Sequence, residues 1–160
     1  LEITTGLWFL GSWTLWNTLT ADQQALTAPD FAAQAQLGST LSALDVQSLT
    51  LRRGALGSHM RQFMQRYDLL VTPAVAVPAC DARPAGSAPM TPESMLGWTP
   101  FSYPFNLTQQ PACSFPCGLT QEGLPMGVQL VGRMFDDAHV LRAARALETL
   151  LPVPRPTRLD

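Results

Sequence analysis

Lysine is absent. All ten basic residues in the 160-residue chain are arginines, and only two histidines, His59 and His139, accompany them. Arginine stays protonated and cannot serve as a general base. Neither histidine lies near a nucleophile-elbow pattern, so no Ser/His/Asp arrangement is legible. Charge of either sign is scarce, at 14% of residues with a net charge of −2. With no basic run and no interleaving of basic and aromatic residues, a nucleic-acid partner is excluded. Cysteines are few and odd in number: Cys80, Cys113 and Cys117. None has zinc-site spacing, so no metal or cofactor is expected. They read as small core residues in a reducing compartment, which implies a cytoplasmic location. Long apolar runs are also missing. Leu7 to Leu19 is interrupted by Gly11, Ser12, Thr14 and Asn17, which is too short and too broken for a membrane span. It lacks the positive flank and cleavage site of a secretion signal. The first residue is Leu1 rather than methionine, as expected of a piece of a longer protein.

What is present is apolar: 46% of the residues. That fraction, with so little charge, implies either a strongly buried sheet or a piece whose apolar surface more protein covers. The length fits one domain. The N-terminal stretch carries Trp8, Trp13 and Trp16 and is expected to be a buried helix or strand–helix piece, followed by a short helix from Pro29 or Asp30 to Gln36, ended by Gly38. Ser42, with Asp45 three residues on, marks the start of the longest helix, about 25 residues. Leu49, Leu56, Met60, Phe63 and Tyr67 form its apolar stripe, and Gly54 and Gly57 inside it call for a close neighbour. Asp68 to Pro73 is a short strand ended by proline. Residues 73–100 form a proline-rich loop with one helical turn at Thr91-Pro92-Glu93. The last helix is capped by Asp136 or Asp137 and carries Val140, Ala144, Leu147 and Leu151 as its stripe. Residues 152–160 form an extended tail.

The most structured signal runs from Phe105 to Gly132. Ala112 to Cys117 reads as a short buried strand, apolar and small, stopped by Gly118. Thr120 to Pro125 is a polar reversal. Met126 to Val131 is a nearly continuous apolar run, expected to be buried on both faces as in the middle of a sheet. Gln129 is the polar exception, and an unpaired buried amide costs about 1–3 kcal/mol, so it must find partners.

These residues carry a family resemblance. Asn106-x-x-x-x-Pro111-Ala112, Pro116-x-Gly118 and Gly123-Leu124-Pro125-x-Gly127-x-Gln129-Leu130-x-Gly132 resemble the C-terminal part of the amidase signature enzymes. Tyr67-Asp68-Leu69-Leu70-x-x-Pro73 and Pro78-Ala79 match the same family upstream, and the helix ending near Leu147-Glu148 matches it downstream. The resemblance runs in order from Ser42 to Glu148. It implies an α/β fold, the C-terminal part of a mixed sheet with helices on both faces, with residues 1–160 as a single partial domain amounting to the last third of an amidase.

Members of that family hydrolyse amides with a nucleophilic serine, a bridging serine and a neutral lysine, all in their N-terminal half. A chain without lysine or a Gly-Gly-Ser-Ser-Gly-like stretch is therefore expected to hold no catalytic residue. Its expected contribution is sheet core and substrate entrance, with Trp98, Thr99, Phe101 and Asn106 as substrate-binding residues of an aromatic loop. In members that handle glutamine, an acidic residue stands where this chain has Thr99, which argues against a substrate with a free α-amino group. Gln109 stands where glycine is common, and a somewhat different turn is expected there. The implied partners are a small-molecule amide and a missing N-terminal segment or second chain, with no membrane involved. The alternative is a noncatalytic module that pairs with another chain through exposed sheet edges.

Overall fold

The computed structural model describes residues 1–84, 87–88 and 90–151. The tail 152–160 lies outside them. The described residues pack as two compact units, Leu1–Ala55 with Ala82–Gly97, and Leu56–Asp81 with Trp98 onward.

The first unit is helical: α1 (Glu2–Trp16), α2 (Ala21–Ala25), α3 (Pro29–Ser39), the first part of α4 (Ala43–Met64), and α5 (Pro92–Leu96). Pro29 starts α3 where its missing N–H costs nothing. Gly38 does not end α3. It is buried against α1, and a Cβ there would fall 2.0 Å from the Phe9 carbonyl oxygen. The α1–α3 contact therefore depends on a bare backbone, with Phe9 and Ala35 buried beside it. The Trp16 and Phe31 rings meet at 6.0 Å. The Ser42–Asp45 capping box forms as read: Ser42 Oγ accepts from the Asp45 amide at 3.2 Å, and the Asp45 carboxylate accepts from the Ser42 amide at 2.9 Å. Arg52 on α4 grips the Glu2 carboxylate with both guanidinium nitrogens, at 2.7 and 2.8 Å. The apolar stripe of α4 differs from the reading. Leu49 and Met64 are buried, while Phe63 and Tyr67 are exposed, Tyr67 lying beyond the last residue of α4. Gly57 meets only the tip of Arg61, and Gly54 meets nothing within 4 Å.

The second unit holds the rest of α4 and the sheet: β1 (Leu70–Pro73), α6 (Tyr103–Thr108), β2 (Ala112–Leu119), β3 (Pro125–Val131) and α7 (Asp137–Leu150). The strand order is β1-β3-β2, and both neighbours run antiparallel to β3. Only β3 is central, and its last residues are buried. The expected burial of Met126 to Val131 on both faces holds only from Gln129 onward, Met126 being exposed, and the burial expected of β2 fails. β2 is an edge strand with Phe115 its buried residue, and its small residues and proline suit an edge. Gly118 does not stop β2 either: the register shifts between Pro116 and Gly118, a bulge that lets the strand continue to Leu119. Gly123 closes the hairpin turn at φ 83°, and its amide donates to the Thr120 carbonyl.

Leu130 on β3 packs with Val140 and Ala144 of α7, flanked by Leu69, Cys113 and Leu147. Cys113 thus packs at the core, but Cys80 and Cys117 are exposed, contrary to the reading of all three as core residues. Leu151 is exposed too, and Asp136 precedes α7 without capping it through its side chain. Arg133, just past β3, was not singled out in the sequence. Its Nε donates to the Met64 and Tyr67 carbonyls, both at 3.2 Å, and one terminal nitrogen reaches Asp68 at 3.0 Å. A cation thereby sits on the carbonyls at and just past the end of α4, the Met64 carbonyl also accepting from the Tyr67 amide. Among the described residues no helix is long and apolar enough to cross a membrane.

Three outcomes follow from these contacts. Gly38→Ala should destabilise the protein by about 1–3 kcal/mol or more, as overpacking against backbone does. Gly11→Ala, where a Cβ meets nothing within 4 Å, should stabilise by up to about 1 kcal/mol; urea unfolding midpoints compare the two. Arg133→Met should lower stability by about 1 kcal/mol, the lost bonds being discounted for a half-exposed guanidinium. The third concerns pH. The Met90 amide and then Arg83 hold the Asp30 carboxyl below its usual range; the Ser42 hydroxyl and amide do so for Asp45, and Arg52 for Glu2. Lowered folded-state values give stability that is present above about pH 4, the unfolded carboxylate range, and is lost as pH falls through the lower folded values. Urea midpoints taken downward from neutral pH should fall only below that range.

Candidate substrate-entrance site

The chain leaves β1 through Pro73 and stays close to the sheet: the Ala74 amide donates to the Gly127 carbonyl at 2.9 Å, and the Ala76 amide to the Trp98 carbonyl at 3.0 Å. Proline supplies no amide hydrogen, so Pro73 and Pro78 sit where no ladder bond is needed. This second bond fixes the start of the aromatic loop. The loop then turns, with the Ser102 amide donating to the Thr99 carbonyl at 3.1 Å, and enters α6, where Pro104 occupies the first turn. Phe105 and Thr108 face inward. Gln109 ends the helix in the left-handed region, φ 62° and ψ 31°, its amide on the Phe105 carbonyl at 2.8 Å. The turn at Gln109 is thus one that glycine adopts at lowest cost, so the glutamine bears strain of about 1 kcal/mol rather than changing the turn.

Two hollows flank this segment. One, of about 480 Å³, is lined chiefly by apolar groups, among them Val71, Val75, Val77, Pro125, Met126 and Val128, with Cys117 at its wall. The other, of about 370 Å³, is lined by Phe105, Asn106, Gln109, Gln110, Pro111, Phe135 and Asp137. Of the four residues read from the sequence, one lines a hollow. Asn106 lines the smaller hollow. Trp98, half-exposed, is tied through its carbonyl to Ala76, a residue of the larger one. Thr99 and Phe101 follow it in the turn.

Gln129 has its partners. It is 6% exposed, and its side-chain nitrogen donates to Thr72 Oγ1 at 3.1 Å and to the Phe101 carbonyl at 2.7 Å. Gln110 is less well served. The Thr108 hydroxyl lies against both the Pro104 carbonyl and Gln110 Oε1 and has one proton for the two. Gln110 Nε2 is buried without a partner. Turning that amide over would let its nitrogen donate to Thr108 and leave its oxygen as the orphan instead, so one buried amide atom stays unpaired in either orientation.

Sequence reasoning missed Phe135. It is 87% exposed and lies at φ 67°. An aromatic residue in the left-handed region with its ring in water stabilises nothing within this chain. No sequence signal marks it, since Arg133-Met134-Phe135 follows the strand as an ordinary connection. Neither hollow is lined by lysine or histidine. Amide groups, apolar walls and one carboxylate can orient and exclude, but they form no nucleophile–base pair.

The family model for Amidase matches residues 11–141. An acylamidase of Rhodococcus erythropolis is 30% identical over 152 residues, 92% of this chain and 32% of its own length. One component of the glutamyl-tRNA(Gln) amidotransferase of Myxococcus xanthus is 43% identical over 84 residues, 52% of this chain and 17% of its own. Among solved structures, 6-aminohexanoate cyclic dimer hydrolase superposes with a TM-score of 0.78 at 19% identity, over 99% of this chain and 37% of that one. This last is a likeness of fold. The chain belongs to the amidase family, as its motifs implied, and its fold is that of amidase signature enzymes. It spans less than a third of the length of these curated relatives.

Proposed function

We propose that this chain is the C-terminal segment of an enzyme that hydrolyses a small-molecule amide, and that it supplies sheet core and the substrate entrance while the Ser–Ser–Lys group comes from residues outside it. The observation that carries this reading is the complete lack of lysine in a chain whose family is the amidases. No other side chain here can take the place of the buried neutral amine that relays basicity to the serine. Trp98, Thr99, Phe101 and Asn106 are assigned to the substrate. The aromatic pair favours an apolar or aryl group, and Thr99 leaves a substrate ammonium without a counter-charge. Exposed apolar side chains fit a surface that further protein covers: Val71, Trp98 and Phe135 are 58%, 52% and 87% exposed. That covering protein is the remaining segment or a partner chain. Free cysteines at all three positions support a cytoplasmic location.

The second reading, a noncatalytic module pairing with another chain, is favoured by the exposed edge strand β2, whose outward backbone groups suit strand addition. Assays on anilides and alkyl amides separate the two. The enzyme reading requires turnover by the full-length protein and none by residues 1–160 alone. In the full-length protein, Trp98→Ala should raise KM for anilides by about tenfold, the scale of one lost apolar contact, with a smaller effect on alkyl amides. A full-length protein inert on every amide, yet isolated with a second chain bound, would sink the enzyme reading in favour of the module.

A further inference from the structure

We infer that Gln129 is a positioning residue that sets the entrance loop, acting through the Phe101 carbonyl; this rests on the reading of that loop as the substrate entrance. Gln129 sits on β3, the one strand paired on both sides, directly opposite Thr72 of β1 and Ser114 of β2. Such a place favours valine or isoleucine, and an amide there costs free energy unless its donors are used. They are used on two different elements. One N–H stays within the sheet, on Thr72 Oγ1; the other leaves it for Phe101 O, at the shorter distance of 2.7 Å. A backbone carbonyl in a turn cannot be reached by the strand's own ladder, so a long neutral donor is what this position requires.

The consequence is a loop held at two points. The Ala76 amide fixes the Trp98 carbonyl, and Gln129 fixes the Phe101 carbonyl three residues on. Between the two points lie Thr99 and Pro100, and just beyond the second begins the turn into α6 that carries Asn106. Two fixed carbonyls leave the intervening residues little room to choose another path. The second bond therefore decides where Phe101 stands relative to Trp98, and from which direction α6 starts. Sheet pairing survives without it, because the β1–β3 and β2–β3 ladders are backbone bonds.

The test compares Gln129→Leu and Gln129→Glu with Thr72→Val in the full-length protein. Gln129→Leu keeps the shape and loses the donor. KM should rise by about tenfold, the scale of one misplaced apolar contact with the substrate, with kcat changed far less and preference between anilides and alkyl amides weakened. Gln129→Glu should behave alike at high pH, where the carboxylate only accepts, and recover towards wild type at lower pH, where the protonated acid can donate to Phe101 O. Thr72→Val removes the other acceptor and should leave KM unchanged. Equal loss of activity in Gln129→Leu and Thr72→Val, or an unchanged KM in Gln129→Leu, overturns the inference. Should the wild-type protein turn over no amide, the functional reading fails and hydrogen exchange still decides this one. Faster exchange of the Ser102, Phe105 and Asn106 amides in Gln129→Leu, but not in Thr72→Val, supports a loop held by Gln129. Unchanged exchange refutes it.

Discussion

Everything in the sheet unit passes through β3. Both other strands hydrogen-bond to it alone, its Leu130 anchors the helix behind the sheet, and its Gln129 reaches forward to the loop in front. The strand can do all this because a pleat sends neighbouring side chains to opposite faces. One apolar and one polar residue in succession thus serve two layers. Gly132 continues the logic at the strand's end: a Cβ there would fall 2.5 Å from a Val140 methyl, so the last helix packs down on a bare backbone. A one-residue slip of β3 would turn Gln129 towards the helix and Leu130 towards the loop, leaving both layers without their contacts.

The helical unit follows a different rule. Its contacts depend on closeness rather than on large side chains: Gly38 beneath the Phe9 carbonyl, and Gly6 under the Leu49 methyls. Around those points, ion pairs join residues far apart in sequence, such as Arg52 with Glu2 and Arg83 with Asp30. These pairs are partly exposed, so they fix which partners meet more than they add stability. Arg133 shows what an arginine can do that a lysine does less well, bonding two carbonyls with one nitrogen and a carboxylate with another. A chain that uses arginine alone as its cation is equipped for such forked contacts and not for base chemistry.

Family and fold were legible because the turn glycines, prolines and strand patterns from Asn106 to Gly132 are local signals, each tied to a backbone geometry. The capping box at Ser42 and the stripe Val140–Ala144 were legible for the same reason. What failed involved neighbours. Gly38 looked like a helix stop because glycine commonly is one, and only the α1 backbone lying over it gives it another role. β2 looked buried because small and apolar residues fill it, yet strand order puts it at an edge. No composition shift marks the division of the chain near Ala55, because α4 runs through it.

The sequence by itself determined the family, the absence of a lysine base, and the demand that Gln129 be paired, since these depend on residue identity and short-range pattern. Only the tertiary structure decided that Asn106 lines a hollow while Trp98 lines neither, that Phe101 is the residue Gln129 holds, and that Phe135 stands with its ring in water. Those facts depend on which segments lie next to each other after folding, and residues as far apart as 72, 101 and 129 become neighbours only when strand pairing and loop closure bring them together.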